Sequence, residues 1–122
     1  MSRFLKSIKH ALNGIKAHWL VGTNFKIQLV FALLALCACS VLKVNTSEWL
    51  IVILFIALVL GLETLNSAIE LLCNMVSPET HPQIKLIKDM SAGAVLLVAI
   101  LSIIAGIIIF LPKLLTALTP IL

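Results

Sequence analysis

Charged residues are scarce in this chain of 122 residues, where Asp, Glu, Lys and Arg together make up 11%. A soluble globular domain typically carries about a quarter charged residues, so this scarcity excludes an ordinary water-soluble fold. Hydrophobic residues make up 61% of the chain, and so much apolar surface requires the hydrocarbon of a bilayer as its solvent. The length allows one domain, and three spans of roughly 20 residues would use most of it.

Several familiar motifs are also missing. The cysteines Cys37, Cys39 and Cys73 lack the spacing of a zinc site and lie in apolar stretches as small filler. The Gly-rich phosphate-binding loops of soluble nucleotide folds do not occur. The chain carries a net charge of +4, but basic and aromatic residues are not interleaved, which excludes nucleic acid as a partner. The spread of cations along the first 26 residues predicts no cleavable signal peptide.

The pattern of apolar residues predicts an all-α membrane protein with one domain. Residues 1–22 form an amphipathic surface helix, whose apolar side chains recur at three- and four-residue steps opposite its lysines. Transmembrane spans follow at 27–43, 48–74 and 83–112, and the second and third extend beyond the bilayer on the same side. The second span is predicted to start at residue 48, because Thr46 or Ser47 can cap the first turn of its helix.

Cations indicate how the chain is oriented. Two lysines, Lys43 and Lys113, lie on one side of the predicted bilayer. Seven cations lie on the other side: Arg3, Lys6, Lys9, Lys16, Lys26, Lys85 and Lys88. The excess places the N-terminus and the loop before the third span in the cytoplasm. Pro112 is expected to mark the exit of that span.

A stripe of polar residues follows the apolar part of the second span. Glu63, Asn66, Glu70 and Asn74 recur at steps of three and four, so they share one face of a helix. A charged side chain at the centre of a bilayer costs about 2.5–3.5 kcal/mol and less near the interface, so the stripe requires a cation, a metal or a substrate proton as its partner. Polar contacts between helices would explain Asn66 but explain two carboxylates poorly.

Lys88 and Asp89 follow a short loop on the same side of the bilayer, and a hairpin after the second span would bring Lys88 near Glu70 and Asn74. Carboxylates that hold Mg²⁺, a lysine that neutralises phosphate and a further carboxylate that acts as a base are what phosphoryl transfer requires. The pattern therefore favours an enzyme that uses a phosphorylated co-substrate at the membrane surface. A proton-coupled transporter would instead need a fourth span and a carboxylate deep within a span.

Two segments resemble the small prokaryotic diacylglycerol kinases, a family that includes undecaprenol kinases. The first runs from Glu63 to Glu70 as E-T-L-N-S-A-I-E, and the second from His81 to Val95 as H-P-Q-I-K-L-I-K-D-M-S-A-G-A-V. The layout of surface helix and spans is similar along nearly the whole chain. The resemblance implies ATP- and Mg²⁺-dependent phosphorylation of a lipid hydroxyl, either diacylglycerol or undecaprenol. It also implies a homotrimer in the bacterial inner membrane, with cytoplasmic active sites shared between subunits.

The resemblance assigns roles to individual residues. Glu63 would be the general base, Glu70 a metal ligand and Asn66 a residue that orders the site together with Asn74. The expected nucleotide-binding residues are Lys88, Asp89, Arg3, His10, Lys26 and Glu79.

The chain departs from the family at two positions of the expected site. The family usually has a second metal-binding glutamate where this chain has Gly22, and often has an aspartate where it has Asn74. The sequence therefore leaves a second reading open, that of a lipid-binding homologue without catalysis. If the missing ligand limits the enzyme, Gly22→Glu should raise activity or the affinity for Mg²⁺.

Overall fold

A computed structural model of the chain describes residues 2–77 and 81–121. Its four helices are α1 (Arg3–Val21), α2 (Thr23–Val41), α3 (Thr46–Val76) and α4 (Pro82–Leu118). Three of them, α2, α3 and α4, are long and apolar enough to cross a membrane. These helices confirm the prediction of an all-α membrane protein with three spans.

Two helices begin earlier than the apolar runs indicate. Gly22 alone separates α1 from α2, so α2 starts before the predicted span at residue 27. Asn45, rather than Thr46 or Ser47, caps α3. The side chain of Asn45 accepts a hydrogen bond from the Glu48 N–H at 2.9 Å, and Glu48 accepts one from the Asn45 N–H at 3.1 Å. This reciprocal capping box satisfies backbone N–H groups at the start of the helix that have no partner within the helix.

The helix α4 does not end at Pro112 but continues to Leu118. Proline removes one backbone donor, and membrane helices tolerate this loss where neighbouring groups satisfy the freed carbonyls. The carbonyl that loses its helical donor here is that of Ile108, four residues before Pro112. Thr116 Oγ1 donates at 2.9 Å to the carbonyl of Pro112 itself, in the turn that follows. The next residue, Lys113, reaches Glu48 of α3 at 3.1 Å. The helix thus passes through a residue that was expected to end it, with one backbone donor fewer.

The helix α3 packs along α4 and α2, and α1 lies against the junction of α2 and α3. A small buried cluster, which we call the far-end core, lies near the start of α3 and consists of Cys39, Val44, Val52 and Ile109. Most large apolar side chains elsewhere are exposed, including those of α1. Such exposure fits a chain whose outer surface faces hydrocarbon and whose first helix lies at the interface.

Candidate functional site

The polar stripe of α3 runs from the interior of the bundle to its surface. Glu63 and Asn66 are 5% and 7% exposed, whereas Glu70 and Asn74 are exposed. Seven helical residues separate Glu63 from Glu70, a rise of about 10 Å along the axis. The two carboxylates therefore lie at different depths. A buried base and an exposed ligand for phosphate or metal would be arranged in this way.

The buried carboxylate of Glu63 has a partner on α2. Gln28 Nε2 donates to Glu63 Oε2 at 3.3 Å. Among the residues that the structure describes, Gln28 Oε1 and Asn66 Oδ1 are buried acceptors without a hydrogen-bond partner. Buried polar atoms are nearly always paired. The surroundings of Glu63 thus have spare capacity to accept hydrogen bonds from a hydroxyl, a water or another donor.

The predicted hairpin does bring Lys88 of α4 to the stripe. Lys88 Nζ donates to Asn74 Oδ1 at 2.6 Å. The amide carries no charge, so this contact orients the ammonium group without forming an ion pair. Asp89 does not turn toward the stripe but pairs with Lys85 at 2.6 Å, and both side chains are more than half exposed.

The other predicted nucleotide residues lie apart from this cluster. Lys26 Nζ lies 5.3 Å from the centre of the Trp19 ring, a cation–π contact between α2 and α1. Arg3 and His10 are exposed on α1, and in the described part of the chain no side-chain hydrogen bond or ion pair joins either of them to α3. Glu79 lies outside the described residues.

Two residues of the site were missed in the sequence. Gln28 is an isolated amide in an apolar span, a signal that it requires a polar partner. His18 is buried and bonds to Thr64 and Ser67 of α3 at 3.2 and 2.9 Å. The signal for His18 was its position, because it continues the apolar stripe of α1 formed by Phe4, Ile8, Ala11 and Ile15.

The structure also gives a reason for Gly22. A Cβ at this position would stand 2.7 Å from the His18 carbonyl oxygen and 2.9 Å from Cδ2 of its ring. Separations below 3.0 Å require the neighbouring atoms to move. The expectation that Gly22→Glu would simply restore a ligand is therefore disfavoured, because the new side chain would displace the end of α1.

A groove of about 410 Å³ lies between α2, α3 and α4, with Gln28 on its wall. Its other lining residues are apolar or small except for Ser102, whose hydroxyl donates to the Ala99 carbonyl at 2.7 Å. An apolar chain that entered this groove could present a polar end to Gln28 and Glu63.

No three His, Cys, Asp or Glu side chains come together as a metal cage within residues 2–77 and 81–121. Mg²⁺ in kinase sites usually takes one or two carboxylates and completes its shell with phosphate oxygens and water. The exposed carboxylate of Glu70 is a hard oxygen donor of the required kind. The residues present therefore fit an ion that arrives with a nucleotide better than a resident one.

Comparison with known proteins gives concordant matches. Residues 9–110 match the family described as prokaryotic diacylglycerol kinase. The chain is 38% identical to the undecaprenol kinase of Bacillus subtilis over 114 residues, which cover 93% of each chain. It is 31% identical to the diacylglycerol kinase of Escherichia coli over 108 residues, 88% of each chain. A diacylglycerol kinase of Helicobacter pylori is 30% identical over 95 residues, 78% of this chain and 74% of the relative.

Proposed function

The chain belongs to the prokaryotic diacylglycerol kinase family of lipid kinases, and from this premise we propose that it transfers the γ-phosphate of ATP to the hydroxyl of a membrane lipid. The observation that carries the proposal is the buried Glu63, held by Gln28 beside the unpartnered oxygen of Asn66. A carboxylate in hydrogen-bond reach of a lipid hydroxyl can act as the general base of such a transfer.

In the proposed reaction, Glu63 takes the hydroxyl proton while the lipid oxygen forms its bond to the γ-phosphorus. The bond from that phosphorus to the bridging oxygen of ADP breaks, and ADP leaves. Gln28 holds Glu63 through one carboxylate oxygen and leaves the other free to accept the proton. Lys88, oriented by Asn74, is close enough to the exposed end of the stripe to neutralise charge on the phosphates.

Mg²⁺, when bound with ATP, would neutralise phosphate charge, and Glu70 is the residue proposed to hold it. The chain's own contribution is to separate two tasks along α3. Glu63 handles the proton in the buried part, and Glu70 with Lys88 handles charge at the exposed end. Asp89 is proposed to support the nucleotide side of the site. In this role it would break its ion pair with Lys85 and contact the bound nucleotide instead.

We propose undecaprenol as the preferred lipid, for two reasons. The undecaprenol kinase of Bacillus subtilis matches this chain over 93% of its length. The groove beside Gln28 is apolar except for Gln28 and Ser102, and the Ser102 hydroxyl is already engaged. Diacylglycerol carries two esters next to its hydroxyl and would bring acceptors into a groove that is poor in donors. A polyprenol brings hydrocarbon up to its terminal hydroxyl.

We further propose that the protein is a homotrimer in the bacterial plasma membrane, with its N-terminus and its sites on the cytoplasmic side. The excess of Lys and Arg at that end supports the orientation. The exposed Glu70 and the unpartnered Asn66 support a site that a neighbouring subunit completes.

The test is transfer of labelled phosphate from MgATP to undecaprenol and to diacylglycerol in mixed micelles, with Glu70→Ala as the control. We expect transfer to undecaprenol at a higher kcat/KM than to diacylglycerol, and its loss in the control. Faster transfer to diacylglycerol would overturn the lipid preference. No transfer to either lipid from a folded protein would favour the non-catalytic lipid-binding homologue.

A further inference from the structure

His18 is the one buried residue within α1, whose other described side chains are exposed. It is 5% exposed, and its ring lies 4.2 Å from the Phe25 ring of α2, centre to centre. A histidine on the apolar face of a surface helix would ordinarily be a poor choice, because burial of an unpaired polar ring is unfavourable. The buried ring therefore needs hydrogen-bond partners, and they are present in the structure.

Both ring nitrogens of His18 bond to α3. Thr64 Oγ1 donates its one hydrogen to the Leu60 carbonyl at 2.8 Å, so it can only accept from His18 Nδ1 at 3.2 Å. In the neutral ring Nε2 is then an acceptor, and Ser67 Oγ donates to it at 2.9 Å. The network thereby assigns the tautomer, with the proton on Nδ1. Every polar atom of the imidazole is used.

The partners of His18 belong to the turns of α3 that carry the proposed site. Thr64 follows Glu63 directly, and Ser67 follows Asn66. Within the described chain, the side-chain hydrogen bonds that join α1 to α3 are these two. His18 therefore ties α1 to the segment of α3 that presents Glu63 and Asn66.

Gly22 makes this arrangement possible. A Cβ there would stand 3.0 Å from His18 Nε2 in addition to its close approach to the His18 carbonyl oxygen. The imidazole thus occupies the space that a side chain at position 22 would enter. Relatives usually have a glutamate at this position. In this chain the glycine packs directly against His18.

We propose that His18, seated by Gly22, is a positioning residue of phosphoryl transfer that clamps α1 onto α3 and fixes the turns bearing Glu63 and Asn66. The proposal rests on the lipid kinase function proposed above. His18 touches neither substrate nor nucleotide in this scheme, so it acts through kcat rather than through the binding of ATP or lipid.

Two substitutions separate positioning from filling of space. His18→Gln keeps one donor and one acceptor that can reach both hydroxyls, whereas His18→Leu has similar bulk and no polar atom. Two lost hydrogen bonds that act on the reacting geometry correspond to about a tenfold or larger fall in kcat. We expect this fall in His18→Leu with little change in either KM, and kcat in His18→Gln within about threefold of the parent.

The partner side gives an independent check. The double variant Thr64→Val with Ser67→Ala should reproduce the His18→Leu defect, and adding His18→Leu to it should cause no further loss. Gly22→Ala should also lower kcat, because its Cβ displaces the end of α1. The matched control is Gly14→Ala, where the Cβ meets no atom within 4 Å, and its kcat should stay unchanged.

Trp19, the neighbour of His18, reports docking of α1 without reference to activity. The chain has two tryptophans, so a Trp49→Phe background isolates its fluorescence. We expect His18→Leu to change the quenching of Trp19 by brominated phospholipids and His18→Gln to leave it as in the parent. Equal kcat or equal quenching in the two variants would overturn the clamp. A parent chain without kinase activity would overturn the proposed function and the catalytic role of His18, while the quenching would still decide whether the clamp exists.

Discussion

The first turn of α3 and its middle turns differ in how their polar groups are satisfied. At the first turn, Asn45 and Glu48 exchange two hydrogen bonds, and Glu48 also pairs with Lys113 of α4 at 3.1 Å. In the middle turns, Asn66 keeps a buried oxygen without a hydrogen-bond partner in the described chain, and so does Gln28 of α2, which bonds to Glu63. An unpartnered buried polar atom costs about 1–3 kcal/mol. The middle turns therefore hold the less stable arrangement.

The difference shows how one helix serves two purposes. The first turn adjoins the far-end core, where apolar side chains and satisfied polar groups hold the three spans together. The middle turns hold the polar groups that we propose meet the substrate, and buried polar groups are commonly left without partners at functional sites. Stability and chemistry are thus separated along α3, and substitutions at its two regions should have different consequences.

The largest effect is expected from a Glu→Gln substitution in the middle turns of α3. The same substitution in the first turn is its control. Glu63→Gln removes the proposed base and should lower kcat by about 10²–10⁴-fold, with assembly and stability unchanged. Glu48→Gln keeps a side-chain acceptor and removes one partly exposed ion pair with Lys113, so it should lower the midpoint of unfolding only slightly and leave kcat unchanged. The measurements are kcat at saturating ATP and lipid and the midpoint of unfolding in detergent. Equal kcat in the two variants would remove the distinction.

A packing defect in the far-end core should have the opposite effect, lowering stability and leaving kcat unchanged. Ile109 is 6% exposed in that cluster, and Ile109→Ala should lower the free energy of unfolding by about 1–3 kcal/mol. The kcat per folded molecule should remain that of the parent, because Glu63 and Asn66 lie outside this cluster. The readout is kcat and not KM for the lipid, because Ile109 also lines the apolar groove beside Gln28. Ile108→Ala is the matched control, since Ile108 is 68% exposed. A loss of kcat in Ile109→Ala would show that the two regions are coupled.

The smallest effect should come from the exposed end of the stripe. Asn74→Ala removes the oxygen that orients Lys88. An exposed hydrogen bond of this kind contributes about 1 kcal/mol or less, so KM for ATP should rise about two- to fivefold while kcat holds. Asn13→Ala, which removes an exposed amide from α1, should leave KM unchanged. An unaltered KM in Asn74→Ala would mean that Lys88 finds phosphate without its partner.

Much of the fold could be predicted because membrane helices are encoded locally. The surface helix and three spans follow from runs and periodicities that a reader of the chain can count. Their limits were less predictable. The capping oxygen of Asn45 acts through a contact that composition does not reveal, and α4 continues past Pro112 to Leu118.

The site divides in the same way. Glu63, Asn66, Glu70 and Asn74 share one face of one helix, so their spacing sufficed to group them. The link from Asn74 to Lys88 was expected from the hairpin and is present. Asp89 pairs with Lys85, four residues away on the same helix face, and its role on the nucleotide side stays a prediction.

By itself, then, the sequence determined that this protein enters a membrane with three helices and carries its carboxylates in one row. Hydrophobic length and helical period act within single segments, and each segment can be read without its neighbours. Only the tertiary structure decided that Gln28 holds Glu63, that His18 reaches Thr64 and Ser67, and that Gly22 leaves room for it. Those relations depend on distances of a few ångströms between helices, which are set by packing and not by any spacing along the chain.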